Sequence, residues 1–266
     1  GEPTRLSSDF PMAKNEYMAF GLAMHSTLQW YFDQQRESEE NEFPSKEEAI
    51  EKFIYYLYTN RDAHTEEAFK RRLDYGKQLI GDYLDAREKY FNEHNITSTE
   101  KRFMNLEVDG VPITGIMDKI EFDGKNATLV DYKTGKPENA KDKLKPPSGT
   151  PGKGSQNGED YWRQMVFYRI LLENDRTTDW KYQDSYFDFI EPDENGEFIM
   201  ETVTVTEEDM FTLRAQIKDT YARIINLDFE QGCNEEKCFW CNFTKDHLVG
   251  KTVTNDTLMS QAIMED

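Results

Sequence analysis

Two carboxylates stand inside apolar, strand-like runs of this chain, and they restrict its folding more than any other feature. Asp118 lies within Gly115-Ile116-Met117-Asp118-Lys119-Ile120-Glu121-Phe122, and Asp131 within Leu129-Val130-Asp131-Tyr132-Lys133-Thr134-Gly135. An ionised side chain in such a run is costly unless it is paired or binds a metal. Side chains alternate across a strand, so Asp131 and Lys133 share one face while Val130 and Tyr132 share the other. Acid and ammonium are then separated by roughly 6–7 Å of backbone at ~3.3 Å per residue. With Asp118 from the neighbouring strand they make the set that metal-assisted phosphodiester hydrolysis requires. Two carboxylates hold a hard divalent cation, and a lysine orients or deprotonates a water. The plainer alternative is a pair of strand-end carboxylates bridged to Lys133 or Lys119.

Periodicity supplies the frame around these strands. Apolar residues recur at helical spacing from Tyr17 to Phe32, with Gly21 inside as a point of close packing. Ser45 with Glu48 forms a capping box for a helix from Lys46 to Tyr58, and Thr65 caps a longer one from Glu66 to Glu93. The period then changes to two. Lys101 to Val108 and Val111 to Phe122 read as a hairpin around Asp109-Gly110, and Ala127 to Lys133 as a third strand. A helix from Tyr161 to Glu173 follows, then strands at Tyr182 to Ile190 and Phe198 to Val205. A last helix opens at Thr206, with Asp209 at the capping-box offset, and runs to about Asn226. Strands followed by helix, strand and helix fit an α/β three-layer core with an N-terminal helical addition. Residues 143–158, rich in proline and glycine, read as a loop whose lysines either contact a nucleic-acid backbone or serve as a plain linker.

The chain of 266 residues carries 32 basic and 52 acidic residues, a net charge of −20. Non-specific nucleic-acid binding favours a basic face, so the distribution of charge decides. Between Lys133 and Lys153 six lysines face only Glu138 and Asp142, whereas acid concentrates in 37–51 and 191–208. The acidic runs read as solvated faces, and the isolated chain is expected to bind DNA poorly. No run of about 18 apolar residues spans a membrane. The three cysteines cluster at 233–241, which reads as an intracellular chain without a disulfide framework.

Taken in order, these motifs resemble the PD-(D/E)XK nuclease superfamily, in particular its RecB-like branch. Gly-x-x-Asp at 115–118 and Asp-Tyr-Lys-Thr-Gly at 131–135 form the centre of the resemblance. Gly21 to His25 resembles the glycine-to-histidine motif, Gln164 to Tyr168 the Gln-x-x-x-Tyr helix, and Cys238 to Phe243 the cysteine-rich end. The resemblance implies a restriction-endonuclease-like three-layer α/β/α core around a mixed sheet. Residues 1–95 would be a helical region integral to the domain, 96–250 the nuclease core with its cysteine segment, and 251–266 a tail. It implies a Mg²⁺- or Mn²⁺-dependent deoxyribonuclease acting on DNA in repair and recombination. An exonuclease is expected, fed single strands by a UvrD-like helicase region of the same bacterial, cytoplasmic protein. The rival readings are a catalytically silent nuclease-fold module that binds DNA ends or a partner of a helicase, and an acidic interaction module.

The resemblance also distributes roles. Asp118, Asp131 and the Tyr132 main-chain carbonyl hold the metal, with His25 as an additional ligand, and Lys133 positions the attacking water. Gln164 approaches the metal site or the scissile phosphate and Tyr168 the DNA backbone. Glu100 or Glu107 could add a further carboxylate. His64 and His94 carry no motif. Cys233, Cys238, Cys241 and His247 have spacing sufficient for tetrahedral zinc. Relatives hold an iron–sulfur cluster with a cysteine ahead of the histidine motif, and this chain has none before Cys233, which counts against a cluster. Free thiols packed beside Trp240 and Phe243 are the remaining alternative.

Overall fold

The computed structural model describes residues 15–148 and 157–228. The described residues divide into two units, one ending at residue 216 and the other starting at 217, and every residue of the candidate site whose position is described below belongs to the first. Three helices come first: α1 (Glu16–Glu37), α2 (Lys46–Thr59) and α3 (Glu66–Glu93). Each begins where a short polar side chain satisfies backbone donors that a helix leaves open. Asn15 accepts from Tyr17 and Met18 N–H, Ser45 and Glu48 complete the expected capping box, and Thr65 accepts from Ala68 N–H. Their apolar faces meet in one cluster around Phe20, Met24, Phe32, Phe53, Tyr83 and Phe91.

Five strands follow in the spatial order β1-β2-β3-β4-β5. They are β1 (Thr97–Val108), β2 (Val111–Asp123), β3 (Asn126–Lys133), β4 (Lys181–Phe189) and β5 (Met200–Thr202). Asp109 and Gly110 both have positive φ (52° and 82°), the conformation a tight β1–β2 hairpin demands. The β3–β4 pair is parallel and the other pairs are antiparallel. A parallel neighbour needs a crossover, and α4 (Asp160–Asn174) supplies it.

Alternation along β3 sorts the layers. Val130 and Tyr132 join the α1–α3 cluster, while Asp131, paired with Phe187 of β4, faces α4. This is the α/β fold with a mixed sheet and an N-terminal helical addition that the sequence leads one to expect. The expected strand at 198–205 is shorter, since regular pairing covers only Met200–Thr202. Its flanks still bond β4, through Phe189 N–H to Ile199 and Val203 N–H to Ser185, but Ser185 Oγ captures the Val203 carbonyl that a longer ladder would use. The 143–158 loop is also more structured at its start than expected, because Lys141–Leu144 forms a 3₁₀ turn. Helix α5 (Glu207–Ile225) opens with the Thr206–Asp209 box. In the second unit, residues 217–225 continue this helix, and Leu227, with φ of 55°, ends it. No helix among the described residues is long and apolar enough to cross a membrane.

Candidate active site

Strands β2 and β3 stay in register from Asp123↔Asn126 to Lys119↔Val130. One more step would set Asp118 opposite Asp131, and there the regular ladder stops. The Asp118 carboxylate fills the gap, accepting the Tyr132 N–H at 3.1 Å. The same oxygen, Oδ2, lies 3.1 Å from His25 Nδ1, which α1 delivers. Helix α1 comes this close because residue 21 is glycine: a Cβ there would stand 3.1 Å from Thr134 Oγ1, just after β3. Gly21, His25, Asp118 and the 131–135 run therefore form one junction.

On the α4 side, Lys133 Nζ lies 2.6 Å from Asp131 Oδ2 in a close ion pair. Gln164 ties the pair together. Its Oε1 accepts from Lys133 Nζ (2.7 Å), and its Nε2 donates to Asp131 Oδ1 (2.7 Å) and to Tyr168 OH (3.0 Å). Tyr168, four residues on along the same helix face, donates to Asp131 Oδ1 at 3.0 Å. It is buried against the carboxylate rather than turned outward to a DNA backbone. Lys133 Nζ also sits over the rings of Tyr161 (4.6 Å) and Phe187 (4.9 Å), two neighbours without any motif in the sequence.

Burial and like charge act hardest on Asp131. Its near-complete burial, followed by the charge of Asp118, pushes the carboxyl up to about 6 against the pull of Lys133. Asp118 goes the other way: burial would raise it, but the His25 bond and charge, the Tyr132 N–H and Lys133 together hold it below the usual carboxylate range. Burial would lower His25, yet Asp118 and Asp131 outweigh it and the imidazole is raised. Two neighbouring carboxyls driven apart in acidity mark a site built for proton and charge handling.

Between the two acidic residues of β1, position decides. Glu107 pairs with Pro112, six residues along β2 from Asp118 and so about 20 Å away. Glu100 falls where β1 would oppose Asp118, has φ of 46°, and is raised by burial and then by the Asp118 charge. Of the two, Glu100 is the one that lies beside Asp118. His64 bonds the Asn60 carbonyl and His94 the Tyr90 carbonyl, so both serve local structure. Cys233, Cys238, Cys241 and His247 lie outside the described residues.

The donors suit a hard divalent cation: carboxylate oxygens from Asp118 and Asp131, and a nitrogen from His25. Asp131 Oδ2 is buried and meets the Lys133 ammonium at 2.6 Å, a contact that a cation would have to share or displace. Among the described residues, however, no three His, Cys, Asp or Glu side chains converge as a ready-made cage. His25 is engaged with Asp118 and Lys133 with Asp131, so a metal must compete with both contacts.

With this geometry in hand, the likeness to known proteins is direct. The PD-(D/E)XK nuclease superfamily matches residues 5–245. A crystal structure from Eubacterium rectale, described as a candidate exonuclease, superposes with a TM-score of 0.51 at 14% identity, over 90% of this chain and 79% of that one. A second crystal structure, SSO0001, gives a TM-score of 0.33 at 15% identity over 72% of this chain and 77% of that one, too distant to carry an argument. No curated protein matches the chain in sequence.

Proposed function

The chain belongs to the PD-(D/E)XK nuclease superfamily, and from that premise we propose that it is a Mg²⁺- or Mn²⁺-dependent deoxyribonuclease using Asp118, Asp131 and Lys133. The observation that carries this reading is the Asp131–Lys133–Gln164–Tyr168 cluster beside the Asp118–His25 pair. Asp118 and Asp131 would hold the cation, with His25 and the Tyr132 carbonyl completing the set. A bound divalent cation supplies charge neutralisation at the phosphate and a more acidic water. Lys133 Nζ, fixed by Gln164 Oε1, holds the attacking water and faces the charge that develops on the phosphoryl oxygens. Gln164 and Tyr168 anchor Asp131 Oδ1, so a cation would take Oδ2 in competition with Lys133. In-line attack of the water leaves a phosphate on one fragment and a hydroxyl on the other.

The finer reading rests on the RecB-like motifs of the sequence. It is an exonuclease of single-stranded DNA in repair and recombination, joined to a UvrD-like helicase in a bacterial cytoplasm. The helicase would deliver the strand, so the low affinity expected at a net charge of −20 would matter less. The absence of a ready-made cage among the described residues favours the rival, a catalytically silent module that binds DNA ends or a partner. Cleavage of labelled single- and double-stranded DNA with Mg²⁺ or Mn²⁺ separates them, comparing wild type with Lys133→Ala and Asp118→Ala. The nuclease reading requires chelator-sensitive cutting that both variants lose. Salt-sensitive binding without cutting, in the full-length protein as well, would establish the rival.

A further inference from the structure

Beside the carboxylates lies a groove of about 390 Å³ lined by Met18, Ala19, Gly21, Leu22, His25 and Glu100. Met18, Leu22 and His25 follow at helical spacing on one face of α1. Met18 is 49% exposed and Leu22 50%. Gly21 adds no side chain to the groove, where α1 runs close to Thr134.

Contacts along the site run in a definite order. His25 touches Asp118, Asp118 bridges to β3 beside Asp131, Asp131 meets Lys133, and Lys133 lies over Tyr161. Lys143 Nζ stands over the same Tyr161 ring, at 4.9 Å, and the exposed Lys136, Lys141 and Lys145 flank it in sequence. The lysine end of this row suits phosphates. Among the described residues that line the groove none is a lysine or arginine, and Glu100 repels a phosphate there. What a nucleotide can place against Met18 and Leu22 is its sugar and the flat apolar face of its base. In a duplex that face is stacked and paired, hence unavailable.

We propose that the Met18–Leu22 groove is a base-binding subsite, which receives the unpaired base of a nucleotide next to the scissile phosphate and so selects single-stranded or frayed ends. The inference rests on the nuclease reading above and adds to it the feature of the substrate that is recognised.

The test compares wild type with Met18→Ala/Leu22→Ala, both exposed positions, on a labelled oligothymidylate, on the same strand bearing abasic residues, and on its duplex. In wild type with Mg²⁺ or Mn²⁺, the base-containing strand should be cut faster than the abasic one. That ratio should fall about tenfold in the variant, the equivalent of ~1.4 kcal/mol of lost apolar contact. An unchanged ratio overturns the subsite, while loss of cutting in Lys133→Ala would still uphold the nuclease. If wild type cuts nothing, fluorescence anisotropy of the two strands decides in the same way. An affinity for the base-containing strand that exceeds the abasic one and disappears in the variant supports the groove; equal affinities in both proteins overturn it.

Discussion

Asp131→Asn should make this protein more stable at neutral pH while removing its activity. Asp131 has a carboxyl raised from 3.8 to about 6, first by burial and then by the neighbouring Asp118 charge. A group whose folded-state pKa is raised binds its proton more tightly when folded. Its contribution to stability is therefore greatest below about 4 and is lost as pH rises through about 6. The difference of about 2 units corresponds to about 3 kcal/mol at 1.36 kcal/mol per unit. Asparagine is neutral throughout, close in shape, and still able to accept from Gln164 and Tyr168 at Oδ1. In the variant Lys133 loses its counter-charge, which trims the gain to about 1–3 kcal/mol.

Urea denaturation followed by tryptophan fluorescence, in a chelating buffer at about pH 8 and about pH 4.5, reads this directly. The other acidic residues titrate alike in both proteins, so the variant-minus-wild-type difference isolates position 131. That difference should favour Asn by about 1–3 kcal/mol at the higher pH and shrink to about a third of that at the lower one, where the carboxyl is mostly protonated in the folded state only. Added Mg²⁺ or Mn²⁺ should then stabilise wild type and close the gap, since only the carboxylate gains a cation. A variant less stable than wild type at about pH 8, or a difference that ignores pH, would refute the claim that Asp131 is held ionised at a cost.

Three further perturbations probe how the site is held. Gly21→Ala brings a Cβ to 3.1 Å from Thr134 Oγ1; a helix-propensity gain of up to ~1 kcal/mol offsets the crowding, so thermal stability should change little while cleavage falls as His25 shifts. Gly115→Ala would put a Cβ 2.4 Å from Leu171 Cδ1 and should cost about 1–3 kcal/mol in urea denaturation by overpacking β2 against α4. Lys119→Met removes a fully buried ammonium lying 2.8 Å from Glu121 Oε1 and within reach of the Phe32, Phe91 and Tyr132 rings. It should cost about 3–5 kcal/mol, and Lys119→Met/Glu121→Gln should recover part of that loss because no unpaired charge remains.

Much of the frame is legible from local chemistry. The capping residues Ser45, Thr65 and Thr206 and the Asp109-Gly110 turn act within a few residues of themselves, so the sequence alone locates them. Alternation correctly pairs Asp131 with Lys133, because strand geometry leaves no other arrangement. What escapes is whatever depends on a distant element. Tyr161 and Phe187 under Lys133, and the choice of Glu100 over Glu107, require the register of three strands and the placement of α4. The Tyr168 hydroxyl points inward for the same reason: only the approach of α4 to β3 brings it to Asp131.

The signal that singles out Asp118 and Asp131 is also less specific than it looks. Glu121 and Asp188 are equally carboxylates in apolar strand runs, and both are buried. Both, however, are tied to helix α3 or to a basic neighbour. Asp188 takes Tyr83 OH at 2.6 Å and Arg87 at 2.7 Å, and Glu121 takes Tyr90 OH at 2.8 Å and Lys119. These contacts fasten the α1–α3 face of β2 and β4 to α3 through bonds that a packed apolar layer shields from water. Asp131, on the opposite face, pairs its Oδ2 with Lys133 at 2.6 Å, and burial and then the charge of Asp118 push its carboxyl up to about 6. Burial beside a basic partner does not distinguish Asp131 from the structural carboxylates; a second carboxylate close enough to raise it does. A strand held between clamped neighbours keeps Asp131 beside Asp118 at a cost that a bound cation would relieve.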